Sequence, residues 1–141
     1  MSFSYEYPRP AVTVDVILVT EDNAPEVLLI QRKNDPFKDL WAFPGGFLDM
    51  DEELIDAAKR ELLEETGVQG IGIKQFKTYG TVNRDPRGRT VTVVYYAFIA
   101  QKPHTTAMDD AKDAQWFKLT HLPTLAFDHK TIMEDFINFI A

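Results

Sequence analysis

The chain contains no cysteine among its 141 residues. That excludes a disulfide framework and any zinc-thiolate centre. It has no apolar run long enough for a membrane span. The start, Met1-Ser-Phe-Ser-Tyr, lacks the basic region followed by an apolar one that marks a signal peptide. A cytoplasmic protein with no membrane partner is expected. Excess positive charge is missing too: the formal net charge is −7. A general nucleic-acid binder is therefore not expected. Linkers, repeats and low-complexity tracts are also lacking. The length suits one domain, residues 1–141, with a real core.

What is present is patterned. Residues 11–20 (AVTVDVILVT) are rich in β-branched side chains and predict a largely buried strand. Residues 21–25 predict a polar turn, 26–32 a second strand, and 33–45 a loop ending at Gly45-Gly46. Asp49 and Glu52 have capping-box spacing, which predicts a helix start near residues 49–51. Gly67 suits the left-handed position that ends such a helix. Strands are expected at about 71–82 and 89–101, the second alternating and central. Residues 83–89 (NRDPRGR) read as a turn between them. A short strand is expected at 115–119. Ile132, Met133, Phe136, Ile137 and Ile140 predict a helix over 128–140. Strands and helices so mixed in a small domain predict an α/β fold, a sheet covered by helices.

The densest chemical signal is Glu61, Glu64 and Glu65, after Arg60 and before Gly67. Residues three and four apart on a helix are neighbours, so the three carboxylates share an arc of roughly 100°. Most charged helix faces are simply solvated. Here the apolar stripe is expected through Leu54, Ile55, Ala58 and Leu62. Glu65 falls one turn beyond Leu62, and Glu61 flanks the stripe, so these acids belong at a cleft edge. Clustered hard oxygen ligands suit Mg²⁺ or Mn²⁺.

Gly46, five residues, Glu52, seven residues, then Arg60-Glu61-Leu62-Leu63-Glu64-Glu65-Thr66-Gly67-Val68 resembles the Nudix box of hydrolases acting on nucleoside diphosphates linked to another moiety. Asp51 stands where many such boxes have glycine. FKDLWAFPGGF, RDPRGR and LPTLAFDHKTI extend the resemblance to a subgroup of ADP-ribose pyrophosphatases and the Nudix domains of NAD-related regulators. The resemblance implies an α/β/α sandwich with a mixed sheet, a divalent cation, a nucleotide substrate and a homodimer. It implies cleavage of ADP-ribose to AMP and ribose 5-phosphate. The alternatives are another Nudix hydrolase, acting on a triphosphate or other sugar nucleotide, and a sensor domain that binds ADP-ribose without cleaving it. The complete box, and a chain ending at Ala141 with no winged helix, favour the enzyme.

Physical need assigns expected roles. Metal ligands are Glu61, Glu64 and Glu65, with a backbone carbonyl near Gly46, where glycine permits close approach. Arg60 reaches Glu64 one turn on and holds its rotamer. Glu52 is a ligand, a water-positioning base or a structural partner of Arg60. Arg32, Arg84, Arg87 and Arg89 are candidate phosphate contacts, since arginine offers a planar fork; Lys38 lies near them. Phe37, Trp41, Tyr5 and Tyr7 are candidates for stacking on adenine, against core packing or a dimer contact. His129 reads as structural. The resemblance implies a further acid from the loop before Trp116. Of Asp109, Asp110 and Asp113 there, Asp110 is favoured as general base.

Overall fold

The computed structural model describes residues 2–141. Seven strands and two helices follow one another as β1 (Ala11–Thr20), β2 (Glu26–Arg32), β3 (Trp41–Ala42), β4 (Gly45–Phe47), α1 (Leu54–Thr66), β5 (Lys74–Tyr79), β6 (Thr90–Ile99), β7 (Ala111–Lys118) and α2 (His129–Ile140). They form one mixed sheet whose main path runs β3-β2-β1-β6-β5, with β4 on β1 and β7 on β2. The pair β1–β6 is parallel, in register from Ala11↔Thr90 to Thr20↔Ile99. The other pairings are antiparallel.

A strand buried on both faces needs apolar residues at every position, not every second one. This is why β1 reads as an almost unbroken β-branched run. Val14, Val16 and Leu18 pack with Ala57, Ala58 and Leu62 of α1. Ile17 and Val19 pack on the other side with Ile132, Met133 and Phe136 of α2. The result is the expected α/β/α sandwich.

Four boundaries differ from expectation. Helix α1 begins at Leu54, not at 49–51, with Glu53 as an N-cap that makes no side-chain bond. Glu52 does accept the Asp49 N–H at 2.9 Å, but this closes a turn ahead of the helix, because Arg60 draws the same carboxylate inward. The segment 33–45 is not loop throughout: Trp41–Ala42 and Gly45 onward pair with β2 and β1. Strand β5 is shorter than expected, and β7 starts at Ala111. The buried face of α1 includes Ala57, whereas Ile55 is exposed. Gly67 does end α1 in the left-handed region, at φ 76°.

Candidate active site

The pairing of β4 with β1 sets Gly45 opposite Asp15 and Gly46 opposite Val14. Alongside runs α1, whose Glu65 is buried. The Gly45 N–H donates to Glu65 Oε1 at 2.7 Å. Gly46 lies so close to α1 that a Cβ there would come within 2.5 Å of Glu61 Oε1. A cavity of about 460 Å³ opens at this junction, within the usual size of small-molecule sites.

Its lining carries both signs. Asp15, Asp49, Glu61, Glu65 and Asp110 supply carboxylates, and Arg32, Arg60, Arg84 and Arg87 supply guanidinium groups. Burial pushes the Glu65 carboxyl up to about 8; the Gly45 N–H opposes this, while Glu61, Asp15 and Asp110 add to it. Burial likewise raises Glu61, against the hydrogen bond from Arg60. A cation would relieve this crowding of buried negative charge.

Arg60 organises the rest. It donates from Nε and Nη2 to Glu52 at 3.0 and 2.6 Å, and from Nη1 to Glu61 at 2.8 Å and Glu64 at 3.3 Å. Its Nη2 also bonds the Phe47 carbonyl at 3.0 Å. The hydrogen bond from Arg60 holds Glu52 below the usual carboxylate range, with the Asp49 N–H adding to it. Thus the expected reach from Arg60 to Glu64 is present, but Glu61 and Glu52 are held more closely.

The expected residues do not all converge. Glu64 and Glu52 are turned to Arg60 and do not line the cavity. Among the described residues no three acidic or histidine side chains already converge as a metal cluster. Glu61, Glu65 and the Gly46 backbone fit a divalent cation best. They join two carboxylates to a cradle that a Cβ would fill, and oxygen donors suit Mg²⁺ or Mn²⁺.

The arginines also separate. Arg32 lines the cavity, with Nε on the Pro36 carbonyl at 2.7 Å. Arg87 lines it too and is tied to Asp85, at 3.1 Å from Nε and 2.8 Å from Nη2. Arg84 donates from Nε and Nη2 to Asp128. Arg89 lies outside, bonded to the Gly80 carbonyl. Spacing could not separate them, because all but Arg32 come from one turn.

None of the four aromatic candidates lines the cavity. Trp41 packs on Phe117 at 4.7 Å, and Phe37 meets Phe127 edge-on at 4.8 Å. Tyr5 and Tyr7 are exposed in the N-terminal segment. Phe47 and Phe127 line it instead. Phe47 follows the glycine pair and Phe127 sits inside LAFDH, so adjacency to those motifs was the available signal. Asp15 was also missed. It accepts from Thr92 at 2.5 Å and carried no signal inside an apolar strand. His129 is buried and lines the cavity; its Nδ1 accepts the Phe43 N–H at 3.2 Å and its Nε2 lies 3.7 Å from Asp15. Asp110 lines the cavity, whereas Asp113 lies within β7, bonded to Ala114 and Gln115.

A model of the NUDIX domain matches residues 9–136. The chain belongs to the NUDIX domain family. An ADP-ribose pyrophosphatase of Methanocaldococcus jannaschii is 42% identical over 131 residues, 93% of this chain and 75% of that protein. The ADPR responsive transcriptional repressor NtrR of Acinetobacter baylyi is 39% identical over 134 residues. That match spans 92% of this chain but about half, 54%, of the repressor. The NUDIX domain of Shewanella oneidensis NrtR, solved with ADP ribose, superposes with a TM-score of 0.88 at 36% identity, covering 96% of this chain and 91% of that one. Its NUDIX domain and its ADP-ribose pyrophosphatase relative support a Nudix pyrophosphohydrolase. Among the described residues no helix is long and apolar enough to cross a membrane.

Proposed function

We propose that this Nudix protein hydrolyses ADP-ribose to AMP and ribose 5-phosphate with the help of Mg²⁺ or Mn²⁺. The observation that carries the reading is the two-signed cavity, lined by the carboxylates of Glu61, Glu65 and Asp110 together with the guanidinium groups of Arg32 and Arg87. Water adds to one phosphorus, one P–O–P bond breaks, and two phosphate monoesters leave. Glu61, Glu65 and the Gly46 backbone would hold a divalent cation, which would supply Lewis-acid stabilisation of charge on the phosphate oxygens. Arg60 fixes the Glu61 carboxylate and keeps Glu52 ionised. Glu64, on the same arginine, would complete the ligand set by turning from it. Asp110 takes the proton of the attacking water. Arg32 and Arg87 hold the diphosphate through their guanidinium groups.

The test is a nucleotide panel with Mg²⁺ or Mn²⁺, with the cleavage products separated and quantified by chromatography. The expected order places ADP-ribose first in kcat/KM, above dGTP, 8-oxo-dGTP, Ap4A and NADH. A triphosphate ahead by tenfold overturns it.

The NtrR relative favours a second reading, a domain that binds ADP-ribose without cleaving it. Calorimetric binding with no turnover on the same panel selects that reading. A homodimer in the cytoplasm completes the proposal. Phe3, Tyr5 and Tyr7, exposed on the N-terminal segment, support a second copy. Light scattering at the monomer mass would remove it.

A further inference from the structure

The part-exposed Arg87 guanidinium lies against two aromatic rings. Its Cζ lies 4.8 Å from the ring centre of Phe47 and 5.5 Å from that of Phe127. Both rings line the cavity. Aromatic faces carry negative potential, so they attract a planar cation or another π-system and repel phosphate. The only part of a nucleotide that meets this requirement is its base.

The two rings are held very differently. Phe127 has the Phe37 edge at 4.8 Å, the His129 ring at 5.5 Å and the Arg32 guanidinium at 5.0 Å. Its backbone sits at φ 52°, a region that costs a non-glycine residue about 1 kcal/mol or more and persists only where surroundings enforce it. It is a fixed platform. Phe47 is 44% exposed at the end of β4 and is free to adjust. Asp85 accepts two bonds from the Arg87 guanidinium.

We propose that Phe47 and Phe127 form the base subsite of the cavity, taking a purine in the space where the Arg87 guanidinium lies against both rings. This rests on the reading that the cavity holds an adenine nucleotide. It assigns recognition of the base to two residues outside the acidic helix and outside the arginine turn. The base then lies beside β4, one residue from Gly46, and the diphosphate crosses towards Glu61 and Glu65.

The test uses the full chain. Phe47→Leu keeps the apolar volume and removes the ring. It is expected to raise KM for ADP-ribose about tenfold, the usual scale of base stacking on an aromatic ring, with kcat little changed. Phe47→Trp provides a reporter in EDTA, read against the parent protein, whose own Trp41 and Trp116 do not line the cavity. AMP titrated to saturation is expected to quench the added emission, and ribose 5-phosphate to leave it unchanged. Equal responses to the two ligands, or no quenching by AMP in a variant that still cleaves ADP-ribose, overturn the subsite. If the parent does not cleave ADP-ribose, the proposed reaction fails. The AMP quench then still decides the base subsite by itself.

Discussion

Arg84 and Asp128 are locked together across the molecule, Nε and Nη2 donating to the two carboxylate oxygens at 2.9 and 2.7 Å. Only 4% of the Arg84 side chain is exposed. Burial works against its charge, but the bond to Asp128 prevails and its pKa is raised. The pair fastens the turn before β6 to the residue that precedes α2. Arg84 is thus already spoken for, whatever its place in the cavity wall.

Arg84→Met is therefore expected to act first on stability. It leaves the Asp128 carboxylate partly buried without its partner, a change that costs about 3 kcal/mol. The urea midpoint should fall accordingly. Adding Asp128→Leu should recover much of the loss, because the stranded charge goes with it. An unchanged midpoint for Arg84→Met would show that the pair contributes nothing.

Gly45 and Gly46 are neighbours with opposite expected sensitivities. A Cβ at Gly45 would overlap the backbone carbonyl of Val14, and backbone within a sheet cannot step aside. Gly45→Ala is expected to be insoluble or to unfold several degrees earlier. At Gly46 the obstacle is the far end of the Glu61 side chain, which can rotate away. Gly46→Ala should melt within a few degrees of the parent and lose at least tenfold in kcat, as the cation site loses a ligand. Thermal melts and steady-state kinetics on both variants separate the two cases.

The acids can be ranked by variant. Glu65→Gln is expected to lower kcat on the order of a hundredfold with the fold intact, and EDTA to abolish turnover. Glu64→Gln should do the same if Glu64 turns inward on loading. Asp110→Asn should lower kcat with little change in KM, the mark of a group acting in the transition state. Near-normal kcat in Asp109→Asn, Asp110→Asn and their double variant would return the role of base to Glu52 or Glu64.

His129 gives a pH dependence with a definite sign. Burial holds its pKa below the ordinary 6.5, with Asp15 and Asp128 pulling the other way. The unfolded chain therefore takes up a proton first as pH falls below about 6.5. The unfolded state binds more protons there, so stability falls on going down in pH through that window. His129→Asn keeps an acceptor for the Phe43 N–H and removes the titration. Its urea midpoint should change less between pH 7 and pH 5.5 than that of the parent. Parallel slopes would assign the effect to other groups.

The sequence carried most of the sandwich because its signals were local. β1, β2, α2 and the end of α1 are each written in a run of side chains with one period. The short strands inside residues 33–45 were hidden because pairing with β1 and β2, not propensity, creates them. The start of α1 was misplaced because Glu52 satisfies Arg60 better than it caps a helix. Helical spacing singled out Glu61, Glu64 and Glu65 together, of which Glu61 and Glu65 line the cavity and Glu64 is turned to Arg60. Phe47, Phe127 and Asp15 were not, since three different segments bring them there. Arg89 shared the charge of its neighbours but not their direction.

The parallel pairing of β1 with β6 also sets a timetable. Ala11 must wait for Thr90, and Thr20 for Ile99. During synthesis, a chain emerged only as far as Tyr79 has made both α1 and the glycine turn, yet one edge of its most apolar strand stays open. Such long-range closure is slow, and an open apolar edge invites pairing with other chains. The acidic helix is thus complete well before the sheet that must carry it, and the nascent chain is most vulnerable to aggregation in the interval before β6 arrives.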